Sequence, residues 1–300
     1  MGVLINILEQ GLLFSLVSIG VYITYKILDF PDLSVDSTFP LGAAISAALL
    51  VNGVNPWISI IIATLGGALA GGITAFLHVK LKITNLMAGI LVMIGLYSIN
   101  LRIMGKANVP LFNTPNLFKS SIPAIVVILI MVIVVKILLD LYLKTKSGFL
   151  LIAVGDNEQV VSSLGVNKDL VKVLGLMISN ALVALAGALT AQYQGFSDVG
   201  MGTGTVVMGL AAVIIGTSLF ERLSFIKVTT LSILGAIIYK AAIAIVLKLG
   251  LNANDLKLMT AIIVVIALCS NSGAFKFKKR KSVIGGSAKD VKSETTIQSV

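Results

Sequence analysis

The sequence predicts an all-α fold, a polytopic transmembrane helical bundle of about nine spans, some of them short or discontinuous. Of its 300 residues, 57% are hydrophobic and 12% are charged, whereas a soluble domain carries about 25% charged residues. The mean hydropathy is +1.03, and the apolar residues fall in long runs that take up nearly the whole chain. No large soluble domain remains that could hold a separate catalytic site.

A helix needs roughly 20 apolar residues to cross the hydrocarbon core of a bilayer. Seven runs approach or exceed that length: residues 4–27, 57–79, 84–103, 122–143, 168–191, 227–249 and 256–272. Two further runs, residues 40–52 and 205–220, are shorter and rich in small residues, as expected of discontinuous or protein-buried helices. We therefore assign residues 1–275 to one membrane domain and residues 276–300 to a basic, disordered cytoplasmic tail.

The basic residues predict the orientation of the spans, because cytoplasmic loops carry an excess of lysine and arginine. The turn at Lys80 and Lys82, the region 144–172 and the tail after residue 275 are expected in the cytoplasm. Nine spans satisfy these constraints with the N-terminus outside, the C-terminus inside and residues 104–121 external. Three basic residues depart from the rule: Arg102, Lys106 and Lys119. The same asymmetry accounts for the net charge of +10 without a nucleic-acid partner, and it is also compatible with binding to anionic lipid headgroups.

A faint internal repeat links two parts of the chain. Residues 24–44 (TYKILDFPDLSVDSTFPLGAA) echo residues 190–212 (TAQYQGFSDVGMGTGTVVMGLAA), with Asp32 matching Asp198 at the same offset. In the nine-span arrangement the two copies run in opposite directions, which is the inverted-topology repeat of many transporters. Chance similarity between low-complexity membrane segments is the alternative.

The residues that most enzymes need are scarce. His78 is the only histidine and Cys269 the only cysteine, which leaves too few ligands for a zinc site and no further base for a Ser/His triad. The chain has no GxxxxGKS phosphate loop, so we expect it neither to hydrolyse ATP itself nor to hold a cofactor or metal. A membrane enzyme would need a cluster of acids, bases or metal ligands at one interface, and none can be assembled from the sequence.

Polar residues at the two breaks and within the spans are the candidates for a substrate pathway. Exposed helix N-termini can attract a substrate carboxylate, although the serines there can equally cap those helices. Lys240 is an intramembrane cation, which is a functional candidate unless it snorkels to the interface, and the asparagines can alternatively bond between helices. The candidates are Asp32, Ser34, Asp36, Ser37, Asn85, Asn180, Asp198 and Lys240.

The most distinctive stretch is residues 145–165, TKSGFLLIAVGDNEQVVSSLG, a short amphipathic segment between two long apolar spans. Gly155 and Gly165 are expected to bracket a short helix on the membrane surface, where a partner protein can push against it. Three polar residues are the candidates for that contact: Asp156, Asn157 and Glu158.

These segments resemble those of a known family. Residues 150–166 are similar to the cytoplasmic coupling segment of ATP-binding-cassette (ABC) importer permeases, in which two glycines bound the helix that docks into a groove on the ATPase. DLSVDSTFPLGAA at residues 32–44 and AAVIIGTSLF at residues 211–220 resemble the branched-chain amino acid and ribose permease family. The chain looks closest to a small-permease branch associated with amino acid uptake, including tryptophan and tyrosine. It departs from the family at Thr217, where a second glycine is usual.

The resemblance implies a permease subunit of an ATP-driven importer that moves a small solute, an amino acid, across the plasma membrane. It also implies three protein partners: a cytoplasmic ABC ATPase that holds the ATP and magnesium, an extracytoplasmic substrate-binding protein, and a second permease subunit, taken as a second copy of this chain. The alternative is an ion-coupled secondary transporter that works without an ATPase. Acidic residues avoid the span interiors, which argues weakly against ion coupling.

Overall fold

The computed structural model describes residues 2–119, 122–220, 227–248 and 256–271. These residues form eleven α-helices and one two-stranded sheet, so the all-α class is confirmed apart from that sheet. The helices are α1 (Gly2–Tyr22), α2 (Val35–Val51), α3 (Pro56–Val79), α4 (Asn85–Met104), α5 (Ala124–Leu143), α6 (Lys146–Asp156), α7 (Glu158–Ser163), α8 (Lys168–Gln194), α9 (Thr205–Phe220), α10 (Val228–Lys248) and α11 (Leu256–Asn271). The sheet pairs β1 (Asn108–Pro110) with β2 (Phe196–Asp198), and a 3-10 turn covers Leu117–Lys119.

Six of the described helices are long and apolar enough to cross a membrane: α1 with its extension, α3, α4, α5, α8 and α10. Helices α2 and α9 are apolar but have only 17 and 16 residues. At 1.5 Å per residue they are about 25 Å long, somewhat less than a hydrocarbon core of about 30 Å. The predicted count of nine spans is therefore confirmed only for these six, and the predicted shortness of α2 and α9 is confirmed.

Each short helix follows a break after a long one. Helix α1 continues into a π-helical turn, Ile23–Ile27, and the chain then breaks until α2 begins. Helix α8 ends at Gly195, whose φ of +77° suits glycine, and the second break runs through β2 to α9. In each break an aspartate accepts a hydrogen bond from the N–H two residues on: Asp32 from Ser34 at 2.9 Å and Asp198 from Gly200 at 2.8 Å. The same aspartate turn is therefore present at Asp32 and at Asp198, the two positions matched in the sequence repeat.

The helices also pack as two related sets, α1–α4 and α8–α11. Helix α3 packs on α8 as α10 packs on α1, and α2 contacts α8, α3 and α4 as α9 contacts α1, α10 and α11. Between the sets, Tyr193 donates to Glu9 at 2.7 Å and Ser179 donates to the Gly20 carbonyl at 2.7 Å. Because the later residue of α8 meets the earlier residue of α1, the two helices are antiparallel. The inverted repeat suggested by the sequence is present in the fold.

Small residues let these helices approach closely. Gly67 and Gly71 on α3 lie against the backbone of α8 at Asn180 and Leu176, where an added Cβ would overlap main-chain atoms. This is the small-residue packing expected between membrane helices, which gain contact area when no side chain separates the backbones. These two glycines therefore serve helix packing.

The bundle has two distinct ends. At the first, α6 and α7 lie near the α3–α4 turn, because Lys82 and Asn85 line the same groove as Glu158 and Lys172. At the second, the β1–β2 sheet joins the loop after α4 to the end of α8. We call them the coupling end and the sheet end. Because they line one groove, the Lys80–Lys82 turn and the 144–172 region lie on the same side of the bundle, as predicted. The tail 276–300 lies outside the described residues.

Candidate functional site

The segment predicted to meet a partner forms two helices, α6 and α7, which meet at Asn157. The side-chain oxygen of Asn157 accepts hydrogen bonds from the N–H groups of Gln159 at 3.0 Å and Val160 at 3.2 Å, and it thereby caps α7. Gly165, with φ of +73°, ends the segment as expected. Gly155 lies inside α6, so the prediction that the two glycines bracket one helix is wrong at its first end.

Gly155 has a packing role. An added Cβ on it would overlap the carbonyl of Ile27, in the π-helical turn that ends α1. Beside this contact, Leu151 and Val154 of α6 and Val161 of α7 are buried in one apolar cluster with the first break. The absence of a side chain at residue 155 is what allows α6 to lie directly on that break.

The charged residues of the segment differ in their contacts. Glu158 forms ion pairs with Lys172 and, at 3.0 Å, with Lys168, and both lysines lie in the first turns of α8. The hydrogen bond from Lys172, supported by Lys168, holds the pKa of Glu158 below its ordinary value. Asp156 is exposed, and its side chain has no hydrogen bond or ion pair within the described ranges. Of the three predicted contact residues, two also hold α7 in place.

The exposed surface of the segment carries four large apolar side chains among polar ones. Phe149 and Leu164 are each 70% exposed, and Ile152 and Val160 are exposed beside them. Large apolar side chains grouped on one end of a membrane protein, with a carboxylate among them, are typical of a protein interaction surface. We call this set, with Asp156, the docking face.

Three of the predicted pathway residues meet in the bundle interior. Asp32 accepts a hydrogen bond from the Asn180 amide nitrogen at 2.8 Å, and the Ser34 hydroxyl donates to the Asn180 amide oxygen at 3.2 Å. All three residues are buried. The cluster joins the first break to α8. The Ser34 hydroxyl does not cap α2, contrary to the capping alternative, and Ser37 donates to the Met93 carbonyl on α4 at 2.7 Å.

Asp36 connects the two short helices. Its carboxylate accepts hydrogen bonds from the N–H groups of Gly204 at 2.9 Å and Val206 at 2.8 Å, at the start of α9. A residue in the first turn of α2 therefore caps α9, which brings the N-termini of both short helices together.

Two predicted pathway residues lie elsewhere. Asn85 begins α4 at the coupling end, in the groove with Lys172. Asp198 lies in the β1–β2 sheet, where Asn108 donates to it at 3.3 Å. The structure does not bring either residue to the interior cluster.

Lys240 lines a cavity of about 120 Å³ between α1, α2, α8, α9 and α10. Its ammonium nitrogen lies 4.9 Å from the centroid of the Phe14 ring. Polar and aromatic lining residues that the sequence reading missed are Gln10, Phe14, Phe39, Thr190, Tyr193 and Gln194. They come from three helices, α1, α2 and α8, so only the packing of helices distant in the chain reveals that they share a cavity.

The comparisons with known proteins agree with this architecture. The profile of a family described as "Branched-chain amino acid transport system / permease component" matches residues 3–270. The chain belongs to this family. It is 51% identical over 276 residues to the tyrosine transport system permease protein of Clostridioides difficile strain R20291, covering 92% of this chain and 94% of the relative.

More distant members of this permease family are sugar permeases. The fructose import permease protein FruF of Bifidobacterium longum is 29% identical, covering 88% of this permease and 76% of the relative. The ribose import permease protein RbsC of Haemophilus influenzae is 28% identical, covering 71% and 68%. No solved structure matches the permease significantly. Within its described residues, no three His, Cys, Asp or Glu side chains are grouped so as to hold a metal.

Proposed function

We propose that this permease is the transmembrane subunit of an ATP-driven importer and that it moves an amino acid. The observation that carries the proposal is the α6–α7 segment, which is anchored on the first break through Gly155 and exposes large apolar side chains, including Phe149 and Leu164. ATP and magnesium would be held by a separate cytoplasmic ATPase, and the docking face is the surface it would contact.

The contacts suggest how force would reach the pathway. An ATPase that closes against the docking face would push α6, and α6 lies on the π-helical turn at Ile27. The turn leads into the break where Asp32 and Ser34 bond to Asn180 on α8. A displacement of α6 would therefore shift α1 against α8, the two antiparallel helices at the repeat interface. Alternating access in transporters with inverted repeats commonly arises from such rocking.

The name of one relative supports the proposed substrate, and the remaining partners are proposed with it. The Clostridioides difficile relative is named for tyrosine transport, so an amino acid, with an aromatic one first among them, is the proposed substrate. An extracytoplasmic binding protein would deliver it at the sheet end, and a second copy of the chain would complete the transmembrane unit. The protein would lie in the plasma membrane with the coupling end and the C-terminus in the cytoplasm.

Reconstitution in liposomes tests this proposal. The permease, the ATPase and the binding protein encoded with it are expected to take up labelled L-tyrosine only when ATP is present on the ATPase side. A catalytically dead ATPase is the control and should abolish uptake. Uptake by the permease alone, driven by an ion gradient, would instead establish the ion-coupled alternative.

A further inference from the structure

We propose that the cavity at Lys240 receives the carboxylate of the transported amino acid inside the permease. This inference rests on the proposed function and names the residue that would recognise the substrate. Lys240 lies near the middle of the 21-residue helix α10. The lysines with ion pairs in the described part of the chain are Lys136, Lys168, Lys172 and Lys227, so Lys240 has no carboxylate partner there.

An intramembrane cation without a counter-ion is costly, and such residues usually mark substrate or ion pathways. The contact that Lys240 makes is with the face of Phe14, which is a weaker interaction than an ion pair. Glu9, the acidic residue of α1, accepts a hydrogen bond from Tyr193 and forms no ion pair with Lys240 among the described residues. The Lys240 ammonium therefore keeps its hydrogen-bond donors for an anionic ligand.

The location fits a transport pathway. The lining comes from both repeats: α1 and α2 of the first, and α8, α9 and α10 of the second. Phe39 of α2 and Thr205, the first residue of α9, place both short helices at the cavity wall. In transporters with inverted repeats, substrates bind at the repeat interface beside discontinuous helices.

A larger groove between α1 and α10 adjoins the first cavity. It measures about 430 Å³, shares Gln10 and Lys240 with the inner cavity, and extends between Gly2 of α1 and Leu247 of α10. Helix α1 begins, and α10 ends, away from the coupling end, because Ile27 contacts α6 and Lys227 contacts α5 beside Lys144. Gln10 and Lys240 thus line both the inner cavity and this groove, which lies toward the sheet end.

The lining chemistry matches an amino acid with an aromatic or large apolar side chain. The Lys240 ammonium can donate charge-assisted hydrogen bonds to a carboxylate. The rings of Phe14, Phe39 and Tyr193 offer aromatic contact surface for the side chain. A lipid phosphate could satisfy the same ammonium, so the experiment must separate the two anions.

The first test compares variants of the reconstituted importer. We expect Lys240→Met to lower the L-tyrosine taken up per ATP hydrolysed by about tenfold or more, because a hydrogen bond to a charged group is lost. Lys240→Arg keeps the charge and should retain most uptake. Lys248→Met, at the exposed end of the same helix, is the matched control and should match the wild type. Equal uptake per ATP in Lys240→Met and Lys248→Met would overturn the inference, whereas a wild type without ATP-dependent uptake would overturn the proposed function.

The second test measures competition on the wild-type protein, so that measurement is independent of how a variant folds. Labelled L-tyrosine is bound to the wild-type permease–ATPase complex in nanodiscs and displaced by two analogues. We expect 3-(4-hydroxyphenyl)propionate, which keeps the carboxylate, to compete, and tyramine, which lacks it, to compete at least tenfold more weakly. Equal competition by tyramine would overturn the inference. So would competition by neither analogue together with a Lys240→Met defect that appears only when phosphatidylglycerol is present, because Lys240 would then serve a lipid.

Discussion

At the scale of single residues, the segment 145–165 is held in place by contacts within the chain. Two of the residues that the sequence predicts as partner contacts, Asn157 and Glu158, make such internal contacts. Asn157 caps α7, Glu158 pairs with two lysines of α8, and Gly155 seats α6 on Ile27. Asp156 is the member of this group whose side chain remains for an intermolecular contact in the described structure. The segment is thus preorganised before any ATPase binds.

Gly155→Ala is the sharpest test of how α6 is seated. The added methyl group would overlap the Ile27 carbonyl, so α6 must move away, at a cost of about 1–3 kcal/mol for overpacking. We expect a lower Tm in detergent and less uptake per ATP hydrolysed. Gly95→Ala on α4, where an added Cβ has no neighbour within 4 Å, is the control and should change neither. Wild-type Tm and wild-type uptake per ATP hydrolysed in Gly155→Ala would contradict the close contact between α6 and Ile27.

The ion pairs of Glu158 predict a pH dependence. The pKa of Glu158 is lowered from 4.5, so its stabilising contribution is complete above that pH and disappears as the pH falls through the lower, folded-state pKa. Because the side chain is 41% exposed, solvent screening limits this contribution to at most about 1 kcal/mol.

We therefore expect Glu158→Gln to lower Tm slightly at pH 7, with the difference from wild type shrinking below pH 4.5 and in high salt. Thermal unfolding measured from pH 3.5 to 7 checks this. Asp169→Asn, which removes a carboxylate from the first turn of α8, is the control for a general loss of charge. A difference that grows toward low pH would contradict the sign.

At the scale of elements, polar residues tie helices that are distant in sequence. Asp140 on α5 is bound by Lys136 at 2.8 Å, by Lys227 at 2.9 Å and by Thr229 at 2.7 Å. The spacing of four residues predicts the first of these pairs. The other two fasten the start of α10 to α5, across 87 and 89 positions of the chain.

Asp140→Asn should loosen this attachment. The amide keeps the shape of the carboxylate but loses its charge, so we expect a loss of about 2 kcal/mol, the scale of a hydrogen bond to a charged group. Lys136→Met should cost less, because Lys227 and Thr229 still bind Asp140. Thermal unfolding of the solubilised protein compares the two variants. If Lys136→Met were the more damaging of the pair, the tie to α10 would be unimportant.

At the scale of the whole molecule, the bundle has two structurally different ends. The coupling end carries the docking face, and the sheet end carries β1, β2 and the loop that Gln192 holds by accepting from the Leu117 N–H at 3.2 Å. Lysines of the α3–α4 turn and of the 144–172 region gather at the coupling end, which is why we place that end in the cytoplasm.

Cysteine labelling can establish this orientation. In a Cys269→Ser background, Phe112→Cys reports on the sheet end and Phe149→Cys on the coupling end, since these side chains are 67% and 70% exposed. We expect a membrane-impermeant maleimide to label Phe112→Cys in right-side-out vesicles and Phe149→Cys only in inside-out vesicles. The background variant alone should remain unlabelled, and the reverse pattern would invert the topology.

Much of the fold was predictable because a helix that crosses the lipid bilayer needs a long run of apolar residues. Long apolar runs, the two shorter ones and the asymmetric lysines depend on local composition, and they located the six long spans and both ends. The β1–β2 pairing was not predictable, since three-residue strands separated by about 85 positions leave no periodic signal. The division of the coupling segment at Asn157 was also missed, although Asn before a new helical turn is a capping signal.

The sequence by itself determined the class of protein, the short helices after their breaks and the amphipathic segment that we propose meets the partner, because composition, hydropathy and short motifs are local. Only the tertiary structure decided which polar residues act together. Asp32 bonds to Asn180, and Asp36 caps α9. Asn85 and Asp198 lie outside the interior cluster. Lys240 lines a cavity with Phe14 and Tyr193. Such contacts depend on how antiparallel repeats pack, and no local pattern encodes which turns of distant helices face each other.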